Sequence, residues 1–488
     1  MTLSLKLSLL THLPELVLLL GVLVVIITDI VGKGKASGAS RNFALFFTAL
    51  AIGCTIVVSS YLAKDPKGFI AFNGMSVTDR LFVFGHLIIL SCLLLGILLS
   101  HRNALAKKHS GEAYALILLA AFGALVLSNA SNLVVVLLGL EILSLPLYTL
   151  AAFDPSRKAA REAGLKYLIL GAFASGFFVL GCAFYYAQTG SLSIKPGFAT
   201  GAYGIPFAVS SALILSALLF KGGMLPFFAW SPDTYQGAPD FAVGLMAALA
   251  KTATFLLLIR ILPEFLPGLT AGLLLFGLLL ISAATMAAGN FLALVQTDIK
   301  RMLAYSSVAH AGYMFLALCA FESTATTGML AYLAVYAPVL VGSFSIVSLF
   351  PGSEEGHKIS DYTGVGYKAP FVAGVFTIML LSLAGLPPTG GFITKAIMFL
   401  GVIQGGYVNF VILAMILSVI GVYYYLNVVI RMFMSPEEET GGKPVEIRSP
   451  DLSEQLAYSI IIILVLAVGL FPGLIVWLAR LASTVIML

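Results

Sequence analysis

The sequence predicts an all-α polytopic membrane protein of about 14 transmembrane helices, built as two inverted five-helix repeats with broken helices. Three observations carry that reading. Of the 488 residues, 60% are hydrophobic and 10% charged, against roughly 25% charged in a typical soluble domain, and the mean hydropathy is +1.04. Apolar runs of about 20 residues recur from end to end, each long enough to cross a hydrocarbon core of about 30 Å. Two of the runs are interrupted by glycine and proline, at KGGMLPF (221–227) and GLPPTGG (385–391).

In chain order the expected spans are 12–31, 41–62, 80–100, 113–129, 131–152, 164–187, 205–229, 240–260, 268–290, 300–320, 326–350, 369–404, 406–433 and 456–482. The first run is long enough to be a span itself, so a cleavable leader is not expected. The seventh is broken beside Lys221: Gly222 and Gly223 hold a helix weakly, and Pro226 cannot donate to the Gly222 carbonyl. The twelfth is too long for one straight helix, and Pro387 and Pro388 divide it into two half-helices. Backbone freed at membrane depth is tolerated beside protein or a wet cavity. Interrupted helices in corresponding places of two halves point to a transporter built from inverted repeats. Separations of 174 residues between Lys221 and Lys395, and 169 between Glu141 and His310, hint at the same duplication. The expected divisions are 1–110 (three N-terminal helices), 111–265 (first five-helix repeat), 266–435 (second, inverted) and 436–488 (a cytoplasmic loop and the last helix).

Basic residues set the orientation. Sixteen of the 27 fall in loops after odd-numbered spans and seven on the opposite side. The richer side is expected to be cytoplasmic, with both termini on the outer side. The net charge of +5 is scattered over these short loops and gives no reason to expect a nucleic-acid partner. Cys54, Cys92, Cys182 and Cys319 lie singly in apolar segments, so neither an iron–sulfur nor a zinc site is expected. No dinucleotide fingerprint or phosphate loop appears. No cofactor or metal is expected on this chain.

The four remaining basic residues, Lys166, Lys221, Lys251 and Lys395, fall within spans. A lysine at the centre of a spanning helix costs roughly 2.5–3.5 kcal/mol, so Lys221, Lys251 and Lys395 together cost about 8–10 kcal/mol if unpaired. Glu141 is the deepest acidic residue, about midway along its span, and His310 lies near the middle of its own. Such groups could be interhelical ion pairs that only hold the bundle together, and Lys166, a few residues inside its span, could snorkel to the interface. Buried charge is a poor way to add stability, so the set points instead to proton carriers. Moving one charge against about 150–200 mV costs roughly 3.5–4.6 kcal/mol, equivalent to about three pKa units, a swing that desolvation of an ammonium and its pairing with a carboxylate can supply. The expected order is Glu141, Lys221, Lys251 and Lys395, with His310 a relay between the last two.

The same residues sit in long ordered blocks: GLEILSLPLYTLAAF with REAGLKYLILGAFASG, LFKGGMLPFFAWSPDTYQGAP, QTDIKRMLAYSSVAHAGY and LAGLPPTGGFITK. From about 110 to 405 the chain resembles the antiporter-like membrane subunits of respiratory complex I. The resemblance implies fourteen spans with a hydrated central axis, and proton translocation driven by quinone reduction in other subunits of an NADH–quinone oxidoreductase. NADH, FMN, iron–sulfur clusters and quinone would belong to that complex. The implied partners are its other membrane subunits, the lipid bilayer, protons and water, and the implied location is a bacterial inner membrane, multi-pass, with periplasmic termini. Glu141 matches the family glutamate of the fifth span, Lys221 its partner in the broken seventh, Lys251 the connecting lysine of the eighth and Lys395 the terminal lysine of the broken twelfth. Lys166 aligns with a lysine of the sixth. Phe228 departs from the pattern, because relatives often carry a histidine there, and a counterpart of the long lateral helix that ends another family member is not expected. A multi-subunit cation/proton antiporter shares this ancestry and uses the same residue types. A membrane scaffold whose charges merely lock helices is the third reading.

Overall fold

The structure is a computed structural model that describes residues 2–32, 37–62, 68–100, 103–195, 204–265, 271–350, 357–434 and 447–484. Among these residues are twenty α-helices and one antiparallel hairpin, β1 (Phe69–Ala71) with β2 (Ser76–Thr78). The first half comprises α1 (Thr2–Thr11), α2 (Leu13–Val31), α3 (Ser37–Leu62), α4 (Arg80–Ser100), α5 (Ala104–Lys108), α6 (Ser110–Asn129), α7 (Leu133–Ala151), α8 (Lys158–Thr189), α9 (Ile205–Gly222), α10 (Trp230–Gly237) and α11 (Asp240–Phe265). The second comprises α12 (Ala271–Leu294), α13 (Ile299–Cys319), α14 (Ser323–Val347), α15 (Val365–Lys368), α16 (Pro370–Ala384), α17 (Gly390–Gln404), α18 (Val408–Phe433), α19 (Leu452–Leu470) and α20 (Gly473–Ser483).

Among the described residues thirteen helices are long and apolar enough to cross a membrane, and the shorter broken pair α16–α17 together makes a fourteenth candidate crossing. The most apolar stretches of α11, α13 and α14 are buried throughout, as a helix that is hydrophobic all round must be. Around them α2, α3, α8, α12, α18 and α19 turn outward side chains such as Phe173 (65% exposed), Leu273 (78%) and Ile463 (66%). Aliphatic and aromatic side chains on the outside suit acyl chains, since lipid imposes no penalty on exposed apolar surface.

Helix α11 ties the two faces of the bundle together. Twenty residues separate Asp240 from Arg260, roughly 30 Å of helical rise. At one end Asp240 accepts from Lys300 at 2.8 Å and lies 3.3 Å from His357. At the other, Arg260 donates to both oxygens of Asp79 at 2.7 and 2.9 Å and to the Ser128 carbonyl at 3.1 Å. Between these anchors Lys251 is the single charged residue of the helix.

Both expected breaks are present. Helix α9 ends on Gly223 at φ +70° and α16 on Gly385 at φ +74°, left-handed positions that favour glycine. Other boundaries differ from the sequence expectation. Helix α8 starts at Lys158 and runs for 32 residues. The expected last span, 456–482, is two helices: α19 stops at Leu470, the chain turns at Phe471–Pro472, and α20 follows. Pro472 has no amide hydrogen with which to continue α19. Helix α20 buries Ala479, Ala482 and Ser483 and exposes Leu474 and Trp477. The division boundaries 266 and 436, and six of the 27 basic residues counted for the orientation (Lys33, Lys35, Lys64, Lys67, Arg102 and Lys443), lie outside the described residues.

Candidate functional site

Among the described residues four lysines are buried; Lys300 pairs with Asp240 at one face, and the other three lie along the spans. Lys221 is 3% exposed, Lys251 2% and Lys395 6%, and among the described residues none of them forms an ion pair with a carboxylate. Each is held instead by hydroxyls, carbonyls or an aromatic face.

Lys221 occupies the last turn of α9 and donates to Ser144 Oγ at 2.7 Å and Tyr167 Oη at 3.2 Å. The rings of Tyr148 and Tyr167 approach its ammonium at 5.8 and 5.3 Å, inside the range of cation–π attraction. Trp230, the first residue of α10, stacks on Tyr167 with ring centroids 4.3 Å apart and donates to the Phe220 carbonyl at 2.9 Å. The two parts of the broken seventh span are thereby clasped around the aromatic wall of the Lys221 site.

The carbonyl freed at that break does not face Lys221. It accepts from Lys251: Nζ lies 2.8 Å from Gly222 O and 2.9 Å from Ser307 O. Lys221 projects toward α7 and α8, whereas Lys251 reaches the break from the neighbouring α11. At the second break Lys395 stands in the corresponding place. A Cβ on Gly223 would lie 3.4 Å from Lys251 Nζ, and one on Gly385 would lie 3.4 Å from Lys395 Nζ. Lys395 also donates to Ser418 Oγ at 3.1 Å and sits 4.6 Å from the Tyr313 ring centroid. Each left-handed glycine thus has an ammonium packed against it.

Helix α13 bridges the two. Its Ser307 carbonyl receives Lys251, His310 follows one turn later and Tyr313 one turn after that, each step a rise of roughly 4.5 Å. His310 Nδ1 pairs with Tyr332 Oη at 2.7 Å and Nε2 with Tyr425 Oη at 3.1 Å. Tyr425 also pairs with Ser306. Tyr313 Oη accepts from Asn290 at 2.9 Å. Hydroxyls both donate and accept, so this set can hold either tautomer of the imidazole.

Glu141 lies apart from these groups. It is half-buried, accepts from Ser175 of α8, and faces a shallow groove between α7 and α8 lined by Leu138, Gly176, Val179 and Leu180. No described ion pair joins it to Lys221. Ser144, one turn further along α7, accepts from the lysine instead and donates its own hydroxyl to the Leu140 carbonyl. Lys166 is 43% exposed and joins Glu162 at 2.8 Å and Asp233 at 2.9 Å, while Asp233 also accepts from Arg301 at 2.7 Å. That network lies on the Asp240 face, outside the lysine row. Phe228 packs near Tyr305, with ring centroids 6.4 Å apart. Among the described residues no cluster of three or more His, Cys, Asp or Glu side chains is arranged to hold a metal.

The hydroxyl partners are the part that the sequence does not single out. Ser144, Tyr167, Tyr332, Ser418 and Tyr425 are unremarkable serines and tyrosines in apolar text. One signal was available in SSVAHAGY, which places Ser307, His310 and Tyr313 at three-residue spacing on a single helix.

Comparison with known proteins places the chain. A family profile described as NADH:quinone oxidoreductase/Mrp antiporter, TM, matches residues 130–421. The chain is 36% identical over 95% of its length, and 95% of the relative's, to NADH-quinone oxidoreductase subunit N 1 of Solibacter usitatus. It superposes on a chain of respiratory complex I from Thermus thermophilus with bound aureothin at a TM-score of 0.80 and 32% identity, covering 96% of this chain and 99% of that one. A chain of the Mrp complex from Dietzia shares the fold, with a TM-score of 0.80 at 18% identity over 99% of this chain and 97% of that one. The chain therefore belongs to the NADH-quinone oxidoreductase subunit N family, within the NADH:quinone oxidoreductase/Mrp antiporter group of membrane proteins.

Proposed function

We propose that this chain is a proton-translocating membrane subunit of an NADH–quinone oxidoreductase, and that protons pass along Lys221, Lys251 and Lys395 with His310 between the last two. Glu141 serves as a peripheral charge whose approach to or retreat from Lys221 biases that lysine. The observation that carries the reading is the set of three buried ammonium groups without a carboxylate partner, Lys221 and Lys395 on the two broken spans and Lys251 on α11 against the first break. Charges held this way are costly, and hydroxyls, carbonyls and an imidazole are the partners that let a proton leave and return. Redox chemistry, with NADH, FMN, iron–sulfur clusters and quinone, belongs to other subunits. The face carrying Asp240, Lys300 and Arg301 is cytoplasmic and the termini are periplasmic, following the lysine and arginine bias.

Lys221→Ala in the intact complex separates this reading from a scaffold. The complex is expected to assemble at wild-type yield and to oxidise NADH in the presence of an uncoupler, while acidification of proteoliposomes falls. Loss of assembly with normal pumping per assembled complex would show that Lys221 only holds helices together.

A further inference from the structure

A second buried polar group lies outside the lysine row. Glu15, in the first turn of α2, is 4% exposed, and His86 of α4 is fully buried. Glu15 Oε1 accepts from Asn129 of α6 at 2.8 Å and lies 3.8 Å from His86 Nε2, too far for a hydrogen bond. Among the described residues, Glu15 Oε2 and both ring nitrogens of His86 lack a hydrogen-bond partner of ordinary geometry, although the Leu125 carbonyl approaches the ring. Phe82 covers the imidazole at 3.7 Å between centroids. Polar atoms this deep and this poorly matched are rare in folded proteins, where buried side-chain donors and acceptors are paired.

The surroundings do not neutralise the pair. Asp79 and Arg260 satisfy each other. His12, one turn before Glu15, is committed to Ser76 Oγ at 2.7 Å. His12, Asp79 and Arg260 are the titratable or charged groups that face the site from the neighbouring segments. A lone buried carboxylate or imidazolium would be an uncompensated charge, whereas the two groups holding one proton between them have no net charge.

We propose that Glu15 and His86 form a proton-holding site of their own in the N-terminal helices, loaded and unloaded from the face that carries the β1–β2 hairpin. In its loaded state one proton is shared, as carboxylate with imidazolium or as carboxylic acid with imidazole. Passage between these forms requires the pair to close from 3.8 Å to hydrogen-bond distance; the proton then moves from Nε2 to Oε1, the N–H bond breaking as the O–H bond forms. Release to water leaves carboxylate and neutral imidazole. The route proposed starts on the same face, where the Ser128 carbonyl that precedes Asn129 holds Arg260, and Arg260 lines a cleft of about 230 Å³ together with Gly74, Ser131 and Ser193. The site stands on its own geometry and does not depend on the lysine row.

Infrared difference spectra of the full-length chain in lipid nanodiscs, recorded across a pH titration, test it. Wild type is expected to exchange a carboxylate band for a carboxylic-acid band, with ring bands of ¹⁵N-labelled histidine moving in step. Glu15→Gln keeps an acceptor for Asn129 and is expected to remove that carboxyl change. His86→Gln is expected to move its midpoint by about one pH unit, tenfold in proton affinity. A Glu15→Gln spectrum identical to wild type would overturn the proposal. So would a midpoint unmoved in His86→Gln, which is the result if the two groups are only structural. Should His86→Gln fail to fold, carboxyl and histidine bands titrating independently in the labelled wild type would overturn it equally.

Discussion

Replacing Lys251 by methionine is expected to cut proton transfer through this chain by about 10²-fold while leaving the complex assembled. Lys251 is midway along α11, roughly 16 Å of helical rise from Asp240 and 14 Å from Arg260, with no other charged residue of that helix between them. Its ammonium joins the Gly222 carbonyl of the first half to the Ser307 carbonyl of the second. Without it, a proton crossing this gap must travel as a bare charge at membrane depth, which costs at least about 2.5–3.5 kcal/mol, a factor of roughly 60–400 in rate. Methionine keeps the volume and the apolar stem. The two carbonyls lose a donor, at about 1–3 kcal/mol, but a buried charge is also removed, and the two effects oppose each other. Dye-reported acidification of proteoliposomes, set against NADH oxidation with and without uncoupler, reads the two functions separately. Pumping at the wild-type rate would remove Lys251 from the path.

Gly469→Ala is expected to lower thermal stability and to abolish pumping, although it changes no titratable group. Gly469 lies on α19 against the second break, where an added Cβ would fall 1.8 Å from the Pro388 carbonyl oxygen. The break cannot retreat freely. On its other side a Cβ on Gly391 would lie 2.0 Å from the Ser382 carbonyl, and Thr389 caps α17 through the Phe392 amide at 3.4 Å. The strain therefore passes into α17 and shifts Lys395 from Ser418 and Tyr313. Overpacking of this kind costs about 1–3 kcal/mol or more. Gly374→Ala on α16, where nothing lies within 4 Å of the added carbon, is the neutral control. Melting curves of the two purified variants beside wild type check the stability half. Equal melting temperatures for Gly469→Ala and Gly374→Ala would contradict the wedge described here.

How much of this was legible in the sequence follows from how local each signal is. Span number rests on run length, and the thirteen long helices plus the broken pair agree with it. The breaks at Gly223 and Gly385 were legible because glycine and proline act on their own backbone. The turn at Pro472 carries the same signal, in GLFPG, but the apolar residues on both sides hide it inside one long run. The burial of Lys221, Lys251 and Lys395 followed from their position in long apolar segments. Which groups meet them did not, because that depends on neighbours far away in the chain: Lys251 meets Ser307, and Lys395 meets Ser418. In a helix that is apolar on every side, periodicity cannot say which face looks inward. Hence the half-buried setting of Glu141, its separation from Lys221 by Ser144, and the Glu15–His86 pair became visible with the packing and not before.

The most direct measurement is the number of protons moved per electron by the reconstituted complex, wild type and Lys395→Ala side by side. Lys395 ends the row beside the second break, and its replacement leaves every group in the other subunits untouched. The ratio is expected to fall by this chain's share while uncoupled NADH oxidation stays at the wild-type rate. An unchanged ratio in a fully assembled Lys395→Ala complex would contradict a proton path through the buried lysines.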